Sequence, residues 1–449
     1  MGNKLLLINP LQKNSKTMGK EKNVLNVPPL SLAYVAALTP DNWDIEILDE
    51  TENEFISQEA DLVGITSFTH NVPRAYEILV FLKKRGISTI MGGIHASALT
   101  KEALEFADAV VVGDAFDTWP SVIKDFENNS LKRVYESKKP NLEGIVTPRR
   151  DLFPKESSLT GKIATVQTAI GCPFGCNFCS VSQLYGKKYR TRPINQVLDE
   201  LEELQTGGTN KIFFVDDNIV GYGPKAEQRA LSLFKGMVER GLSLKWAGQA
   251  SVNIGDNQSL LEYAEKSGCS ALFIGFESLN PTVLKKMGKT PNIKANNGDY
   301  KPRINMLHHH GIAVIGGFIF GNDEDTKEVF DITRDFVFST GIDVTQYAPL
   351  TPLPGTRLYS DMLKEGRLLF TNYPNDWALY DFAHVVGKPR GMTSKELSDG
   401  LTRLCNESFS LLPAIKRAGN TLRNTGNMYS TIYSFAWNRA FNKGRINSC

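Results

Sequence analysis

The chain is expected to fold as an α/β protein. A Rossmann-like, flavodoxin-like doubly wound parallel sheet comes first, then a partial (β/α)6 TIM-type barrel, then a small, mainly helical cap. Three observations lead there. Short runs of Val, Ile and Leu alternate with helical stretches over the first 140 residues, the pattern of strands buried on both faces of a parallel sheet. A second series of six such runs follows between residues 161 and 365. Segments of altered composition separate the units. Pro, Asn, Ser and charge crowd the stretch from Asn128-Asn129-Ser130 through Lys138-Lys139-Pro140 and Phe153-Pro154 to Ser157-Ser158, and aromatics crowd Tyr373 to Asp381. The expected boundaries are 1–140, a linker at 141–160, 161–365 and 366–449.

In the first unit the strands are read at Lys4–Ile8, Trp43–Leu48, Leu62–Thr66, Ser88–Met91 and Ala109–Val112, with helices such as Val72–Arg85 and Thr100–Phe106 between them. Ligands of such sheets sit at the carboxyl ends of strands. There the chain places Asn9-Pro10, Asp49-Glu50, Thr66-Ser67-Phe68-Thr69-His70, Gly92-Gly93-Ile94-His95 and Gly113-Asp114. Small and hydroxyl residues let backbone approach a large flat or phosphate-bearing ligand.

In the second unit the first strand, Ile163–Thr168, runs into Gly171-Cys172-Pro173-Phe174-Gly175-Cys176-Asn177-Phe178-Cys179, a C-x3-C-x2-C run at the carboxyl end of a barrel strand. Three thiolates this close can hold three irons of a four-iron, four-sulfur cluster and leave the fourth iron open. Half a zinc site and a disulfide pair with a spare are the competing readings. A structural zinc wants a fourth ligand at short spacing, and His95 and Cys269 are the nearest in sequence. Disulfide frameworks suit small secreted chains, not 449 residues with six cysteines. The later strands are Lys211–Val215 into Asp216-Asp217-Asn218, Leu244–Gly248 into Gln249-Ala250-Ser251, Ala271–Phe276 into Glu277-Ser278, Ala313–Ile315 into Gly316–Gly321, and Val344–Tyr347 into Ala348-Pro349. Polar residues thus converge at one end of the barrel.

The cysteine spacing, with Phe178 before the last cysteine, resembles the signature of the radical S-adenosylmethionine (radical SAM) superfamily. That resemblance implies a 4Fe-4S cluster on Cys172, Cys176 and Cys179, with S-adenosylmethionine chelated at the open iron. It implies that Asp216, Asp217 and Asn218 meet the methionine amino group, and that Gln249, Ser251 and Glu277 contact ribose and methionine. It further implies that Gly317, Ile319, Gly321 and Glu324, which fit the family's G-x-I-x-G-x-x-E, support adenine. The first unit resembles the cobalamin (B12)-binding domain that precedes many radical SAM domains, best at Thr66, Ser67, Gly92 and Gly93. The motif D-x-H-x-x-G, whose His binds cobalt, is absent. His95 lies in another loop, where it is a candidate cofactor contact or a turn residue. A flavodoxin-like domain kept for substrate access or packing is the alternative.

The implied function is reductive cleavage of S-adenosylmethionine to a 5′-deoxyadenosyl radical, and methylation of an unreactive substrate carbon with cobalamin as methyl carrier. Cyclisation, ring contraction, oxidation or carbon–carbon coupling from the same residues is the runner-up. A cluster- or cobalamin-carrying sensor without turnover is a third reading. Trp377, Tyr380, Asp381 and His384 form a W…YD…H pattern. It resembles the cap of radical SAM enzymes acting on large hydrophobic molecules such as porphyrins and hopanoids, and it could close the barrel mouth or pack its open side. The expected partners are such a lipid- or tetrapyrrole-like small molecule and a reductase, flavodoxin or ferredoxin as electron donor.

Remaining features bound the rest. Net charge is +2, with 41% hydrophobic and 22% charged residues. That reads as an ordinary globular protein and gives no argument for a nucleic-acid partner or a highly acidic one. Leu5–Ile8 is too short for a secretory signal and no run of 18 apolar residues exists, so a cytoplasmic enzyme is expected. Met1-Gly2 suggests myristoylation only weakly, because Lys4 heads a strand. Met428 to Ile446 mixes aromatics with Arg439, Lys443 and Arg445, which suits a packed terminal helix or one resting on a membrane surface. Arg190 and Arg192 are expected to face a cofactor or substrate carboxylate, or solvent. His308-His309-His310 cannot converge on one metal from successive helical positions.

Overall fold

A computed structural model describes residues 2–12, 28–153, 163–295 and 299–445, with the backbone alone for 441–445. Ser157 and Ser158 of the expected linker, Cys449 and the side chains of Lys443 and Arg445 lie outside the described residues.

The first domain runs β1 (Lys4–Asn9), α1 (Leu30–Ala37), β2 (Asp44–Asp49), β3 (Leu62–Thr66), α2 (Val72–Lys84), β4 (Ser88–Gly92), α3 (Ile94–Ala98), α4 (Thr100–Phe106), β5 (Ala109–Val112), α5 (Trp119–Glu127) and β6 (Val134–Glu136). All strands are parallel, in the order β2-β1-β3-β4-β5-β6. The two-residue period of β1 sorts its side chains between two cores. Leu6 and Ile8 join Val63, Ile65, Met91 and Val110 on the α2 side. Leu5 and Leu7 join Leu62, Ile90, Ala109 and Val111 on the α1 and α5 side. Each fully buried Leu or Ile contributes roughly 1.5–3 kcal/mol. The strand order reverses between β1 and β3, where doubly wound sheets open a ligand crevice. Five strands were expected here and six are found. β6 has three residues, of which only Tyr135 is buried, too short for an alternation to be read.

The second domain runs β7 (Ile163–Val166), β8 (Ala169–Ile170), α6 (Ser180–Leu184), β9 (Arg190–Thr191), α7 (Ile194–Thr206), β10 (Lys211–Phe214), α8 (Pro224–Glu239), β11 (Lys245–Ala250), α9 (Gln258–Lys266), β12 (Cys269–Glu277), α10 (Pro281–Met287), α11 (Thr290–Lys294), α12 (Lys301–His309), β13 (Ala313–Phe320), α13 (Glu328–Thr340), β14 (Val344–Pro349) and α14 (Arg357–Lys364). Strands β7-β10-β11-β12-β13-β14 form one parallel, six-stranded sheet, the partial (β/α)6 barrel. The first strand stops at Val166, earlier than expected. Ala169 and Ile170 instead pair antiparallel with Thr191 and Arg190, a ribbon that ties the two ends of the cysteine loop together.

Three further helices, α15 (Ser394–Phe409), α16 (Leu411–Thr425) and α17 (Met428–Arg445), end the described chain. Helix α17 lies across the amino end of the barrel. Ser430 Oγ donates to Ser270 O (2.8 Å), and Ser434 Oγ and Asn438 Nδ2 donate to Asp343 O (2.8 and 2.9 Å). A cavity of about 320 Å³ remains inside the barrel, between Tyr429 and Tyr433 below and Gln249 and Gln346 above. The described residues from 366 onward are divided between the two cores. Leu368, Trp377, Tyr380 and Val386 join the α2-side core of the first domain, whereas Met392, Leu397, Leu401 and Phe409 join the barrel core. The W…YD…H segment therefore packs on the first domain instead of capping the barrel mouth. Trp377 donates to Glu102 (3.1 Å) and Gln12 to Asp381 (3.0 Å).

Candidate functional site

Cys172, Cys176 and Cys179 stand on an irregular loop between β8 and α6, at the carboxyl end of the barrel. Nothing within such a loop fixes its shape, so the surroundings must. Cys179 N–H donates to Cys176 O (3.2 Å), Asn177 N–H to Met287 O at the end of α10 (3.0 Å), and Leu358 N–H in α14 to Asn177 O (3.0 Å). Gly171 starts the loop at φ +93°, with the site a Cβ would take 2.7 Å from Lys188 O, so a side chain there would collide with backbone. Burial pushes the thiols of Cys172 and Cys179 up to about 11 each and raises that of Cys176 as well. Among the described residues no three His, Cys, Asp or Glu side chains are placed to hold a single ion. A four-iron cluster spreads three thiolates over three irons, so the same triad of free cysteines fits it.

The Asp216-Asp217-Asn218 run divides its labour. Asp216 is fully engaged beneath the loop, accepting from Thr168 N (2.6 Å) and Thr168 Oγ1 (2.5 Å), and burial raises its pKa against those bonds. Asn218 ties β10 to β11 through Ser251 Oγ (2.9 Å) and also donates to Gly221 O (3.0 Å). Asp217 is the member that faces the cysteine loop. It accepts from Gly171 N (3.2 Å), and burial lifts its pKa to about 6. A cation bound beside it would relieve that cost. Gln249 turns its amide to the barrel cavity. Gly321, at φ +91°, begins a turn in which Gly321 N, Asn322 N and Asn322 Nδ2 all bond Asp325 Oδ2 (2.9–3.0 Å). Ile319 is half-buried beside it, and Glu324 pairs with Lys286. Phe178 is half-buried within the loop.

The first domain brings its own strand ends to this place. Helix α3, which follows Gly92-Gly93, packs on α6, which follows Cys179. Gly93 has φ +94°, and a Cβ there would lie 2.6 Å from Ser67 O and 2.9 Å from Thr66 Oγ1. Only glycine allows this close approach of the two loops. Ser67 Oγ is buried yet has no hydrogen-bond partner, an orphan of the kind a ligand satisfies. Orphan hydroxyl and glycine cradle together fit a cobalamin tail. His95 is fully buried and turned away from that cradle, with Nε2 3.1 Å from Glu102 Oε1. Tyr76 and Trp377 share the same carboxylate.

Sequence reasoning misplaced the arginines. Arg190 pairs with Asp114 of the first domain (2.6 Å) and Arg192 with Glu200 (2.6 Å), every side chain 3% exposed or less. Neither arginine faces solvent or an open site. Lys289 was missed. Its Nζ lies 2.6 Å from Glu277 Oε1, and no sequence signal sets it apart from other lysines. Burial alone would lower its pKa, but Glu277 and the thiols of Cys176 and Cys179 raise it overall. His308 and His310 turn to different partners: His308 bonds Asp343 (2.9 Å) and His310 bonds Glu265 (2.8 Å).

A doubly wound domain whose strand order reverses between β1 and β3, joined to a six-stranded barrel bearing a cysteine loop, is the arrangement of a B12-binding radical SAM protein. The radical SAM superfamily model matches residues 166–337 and the B12 binding domain model residues 22–123. The chain belongs to this family and is a radical SAM enzyme, with S-adenosylmethionine, a 4Fe-4S cluster and cobalamin as its cofactors. It is 33% identical over 423 residues to the bacteriochlorophyllide d C-12(1)-methyltransferase of Chlorobaculum tepidum, covering 92% of this chain and 89% of the relative. It is 29% identical to the C-8(2)-methyltransferase of the same organism, covering 80% of each. The cobalamin-dependent S-adenosylmethionine radical enzyme OxsB with aqua-cobalamin bound shares the fold, with a TM-score of 0.71 at 16% identity over 97% of this chain and 72% of that one. No helix among the described residues is long and apolar enough to cross a membrane.

Proposed function

We propose that this chain methylates an unreactive carbon of a large, hydrophobic, tetrapyrrole-like molecule. The observation that carries this reading is the packing of α3 on α6, which sets the Gly92-Gly93 cradle beside the cysteine loop. Both methyltransferase relatives act, by name, on bacteriochlorophyllide d. In this reading Cys172, Cys176 and Cys179 hold the cluster, Thr66, Ser67, Gly92 and Gly93 receive the corrinoid, and His95 braces their turn from behind. When bound, the cluster supplies the electron that cleaves S-adenosylmethionine, and cobalamin supplies the methyl group. Asp217 takes the ammonium of the methionine part, and Asn218 and Asp216 keep Asp217 in register. Gln249, Ser251 and Glu277 orient the ribose and methionine, and Gly317 to Gly321 offer backbone against which adenine can lie. The units are read at 1–140, 141–160 and 161–365, with the segment from 366 shared between the two cores, and a ferredoxin, flavodoxin or reductase delivers the electron.

The test is anaerobic purification from cobalamin-fed cells, cluster reconstitution, and assay with bacteriochlorophyllide-type tetrapyrroles. A stoichiometric corrinoid spectrum, 5′-deoxyadenosine under reduction and a methylated product are expected. Deoxyadenosine with a product of unchanged carbon count would favour cyclisation or oxidation. Corrinoid without deoxyadenosine would favour a sensor.

We also propose that this enzyme is cytoplasmic and rests on membranes. Leu411, Leu412, Ile415 and Leu422 are exposed along α16 beside Lys416 and Arg423, and no acidic residue follows Glu407. Such a face suits an anionic bilayer. Co-flotation with phosphatidylglycerol vesicles, lost in Leu412→Glu/Ile415→Glu, is expected; equal flotation of the variant would refute it.

A further inference from the structure

Lysines from four segments gather around the outer face of the cysteine loop. Gly175 is the one exposed residue of Gly171–Cys179. Lys187 lies over it: a Cβ at Gly175 would stand 3.0 Å from Lys187 Cε and 3.1 Å from its Nζ. Lys188 follows, with its carbonyl against Gly171, where the loop starts. Arg190 Nη1 donates to Pro140 O (3.0 Å), which lays the end of the first domain beside this stretch. Lys139 comes with it, its Nζ 3.8 Å from the place of a Cβ at Gly186. Helix α10 brings Lys285 and Lys286 from another side. Its end is fixed to the loop by Asn177, which donates from its backbone to Met287 O (3.0 Å) and from Nδ2 to Lys286 O (3.3 Å). Helix α11 adds Lys294, which donates to Tyr222 OH (2.8 Å), and that ring packs edge-on against Phe174 of the loop (4.9 Å).

All six lysines are exposed. Among the described residues only Lys286 has a carboxylate in ion-pair reach, that of Glu324. Nearby carboxylates are already engaged: Asp117 accepts from Ser137 Oγ and Lys138 N (2.7 Å each), and Asp114 pairs with Arg190. The whole chain carries only +2, so the excess belongs to this face and not to a basic protein at large. A patch of one sign attracts a partner of the other and raises its association rate by roughly 10- to 1000-fold. The patch surrounds the point where the loop is open to another protein, because the first domain packs on α6 and the barrel lies beneath. An electron delivered to the loop has to arrive there.

We propose that this face is the docking surface for a small acidic one-electron carrier protein, steered to Gly175 by Lys139, Lys187 and Lys188, on the reading that the loop holds the cluster. The carrier gives up one electron and is oxidised, the cluster takes it and is reduced, and no bond or proton moves. The experiment is anaerobic stopped-flow bleaching of the reconstituted full chain, with iron and sulfide counted in each variant. Two reductants are compared: reduced flavodoxin, an acidic protein, and reduced methyl viologen, a small cation. Lys187→Glu/Lys188→Glu and Lys139→Glu/Lys187→Glu should each slow the flavodoxin reaction by roughly tenfold or more at low salt and leave the viologen reaction no slower. Lys83→Glu/Lys84→Glu makes the same charge change at the far end of α2 and should leave both rates near wild type. In the wild type, raising KCl from about 0.05 to about 0.5 M should slow flavodoxin and not viologen. That arm decides if the loop variants retain no cluster. Equal slowing with both reductants would place the lysines in support of the cluster and overturn the proposal. So would unchanged flavodoxin rates in variants with full iron, or equal slowing by the α2 control. A wild-type chain that binds no cluster would instead refute the functional reading itself.

Discussion

The contact between Asp114 and Arg190 joins the two domains beside the cysteine loop, so Asp114→Asn should loosen that junction. The pair is closed at 2.6 Å with side chains 3% and 2% exposed. Removing one partner of a buried pair costs about 3–5 kcal/mol, because the other charge is left without compensation. Here the lower end applies. Arg190 keeps a bond to Pro140 O (3.0 Å), and its Nε and Nη2 already lack acceptors, so the pair is not ideally satisfied. The expected loss is therefore about 3 kcal/mol, roughly a 150-fold shift in the opening equilibrium. Urea unfolding followed by tryptophan fluorescence should show an earlier first transition in Asp114→Asn. Asp114→Leu/Arg190→Met, which removes both charges and keeps apolar volume, should recover most of it. A single variant within about 0.5 kcal/mol of wild type, the range of ordinary surface substitutions, would refute the reasoning. So would a double variant less stable than either single one.

Other perturbations have definite outcomes. Gly93→Ala forces a Cβ to 2.6 Å from Ser67 O at φ +94°, a strain of about 2 kcal/mol or more; the purified variant should lose the stoichiometric corrinoid absorption while its iron content holds. Thr168→Val removes one of the bonds to buried Asp216 and leaves that carboxylate under-satisfied, so iron retained after gel filtration should fall although no cysteine has changed. The Asp381–His384 contact (3.0 Å) raises the His384 pKa, while Asp381, opposed by burial, is lowered overall by His384. The histidine's share of stability is present below about pH 6.5 and lost as pH climbs through its raised value. The aspartate's is present above about pH 3.9 and lost as pH falls through its lowered value. The melting-temperature gap between wild type and Asp381→Asn should thus be wider at pH 5.5 than at pH 8.5, and a constant gap would refute the assignment.

Both sheets were legible because their strands are continuous apolar runs, from Leu5–Ile8 to Ala313–Phe320, flanked by Gly and acidic residues that end them. The cysteine loop was legible because its three cysteines lie within eight residues. Contacts distant in sequence were not. Arg190 reads as surface charge until Asp114, 76 positions away, is brought against it. Trp377 reads as part of a lid until its indole is found on Glu102, 275 positions earlier. Lys289 has no periodicity or motif, and its meaning comes wholly from where Gly288 turns the chain. Even among matched residues the pattern could not rank roles. Asp216 and Asp217 are adjacent and identical in type, yet one is consumed by Thr168 and the other faces the loop.

The charges around the cysteine loop share one logic. Asp114–Arg190 fixes the loop's distal end to the first domain, Arg192 and Arg150 meet Glu200 beneath the start of α7, Thr168 and Asp216 anchor its proximal end, and Lys289–Glu277 flanks its middle. Buried ion pairs return little net stability, since desolvation nearly cancels the attraction. Their gain is in geometry: a displaced partner leaves a charge uncompensated, so alternative placements of the loop are penalised far more than the native one is favoured. A loop without a regular ladder needs that kind of enforcement, because a misplacement of about 1 Å near reacting groups can cost roughly a hundredfold in rate. The apolar cores build the two domains, and the buried charges hold them in register.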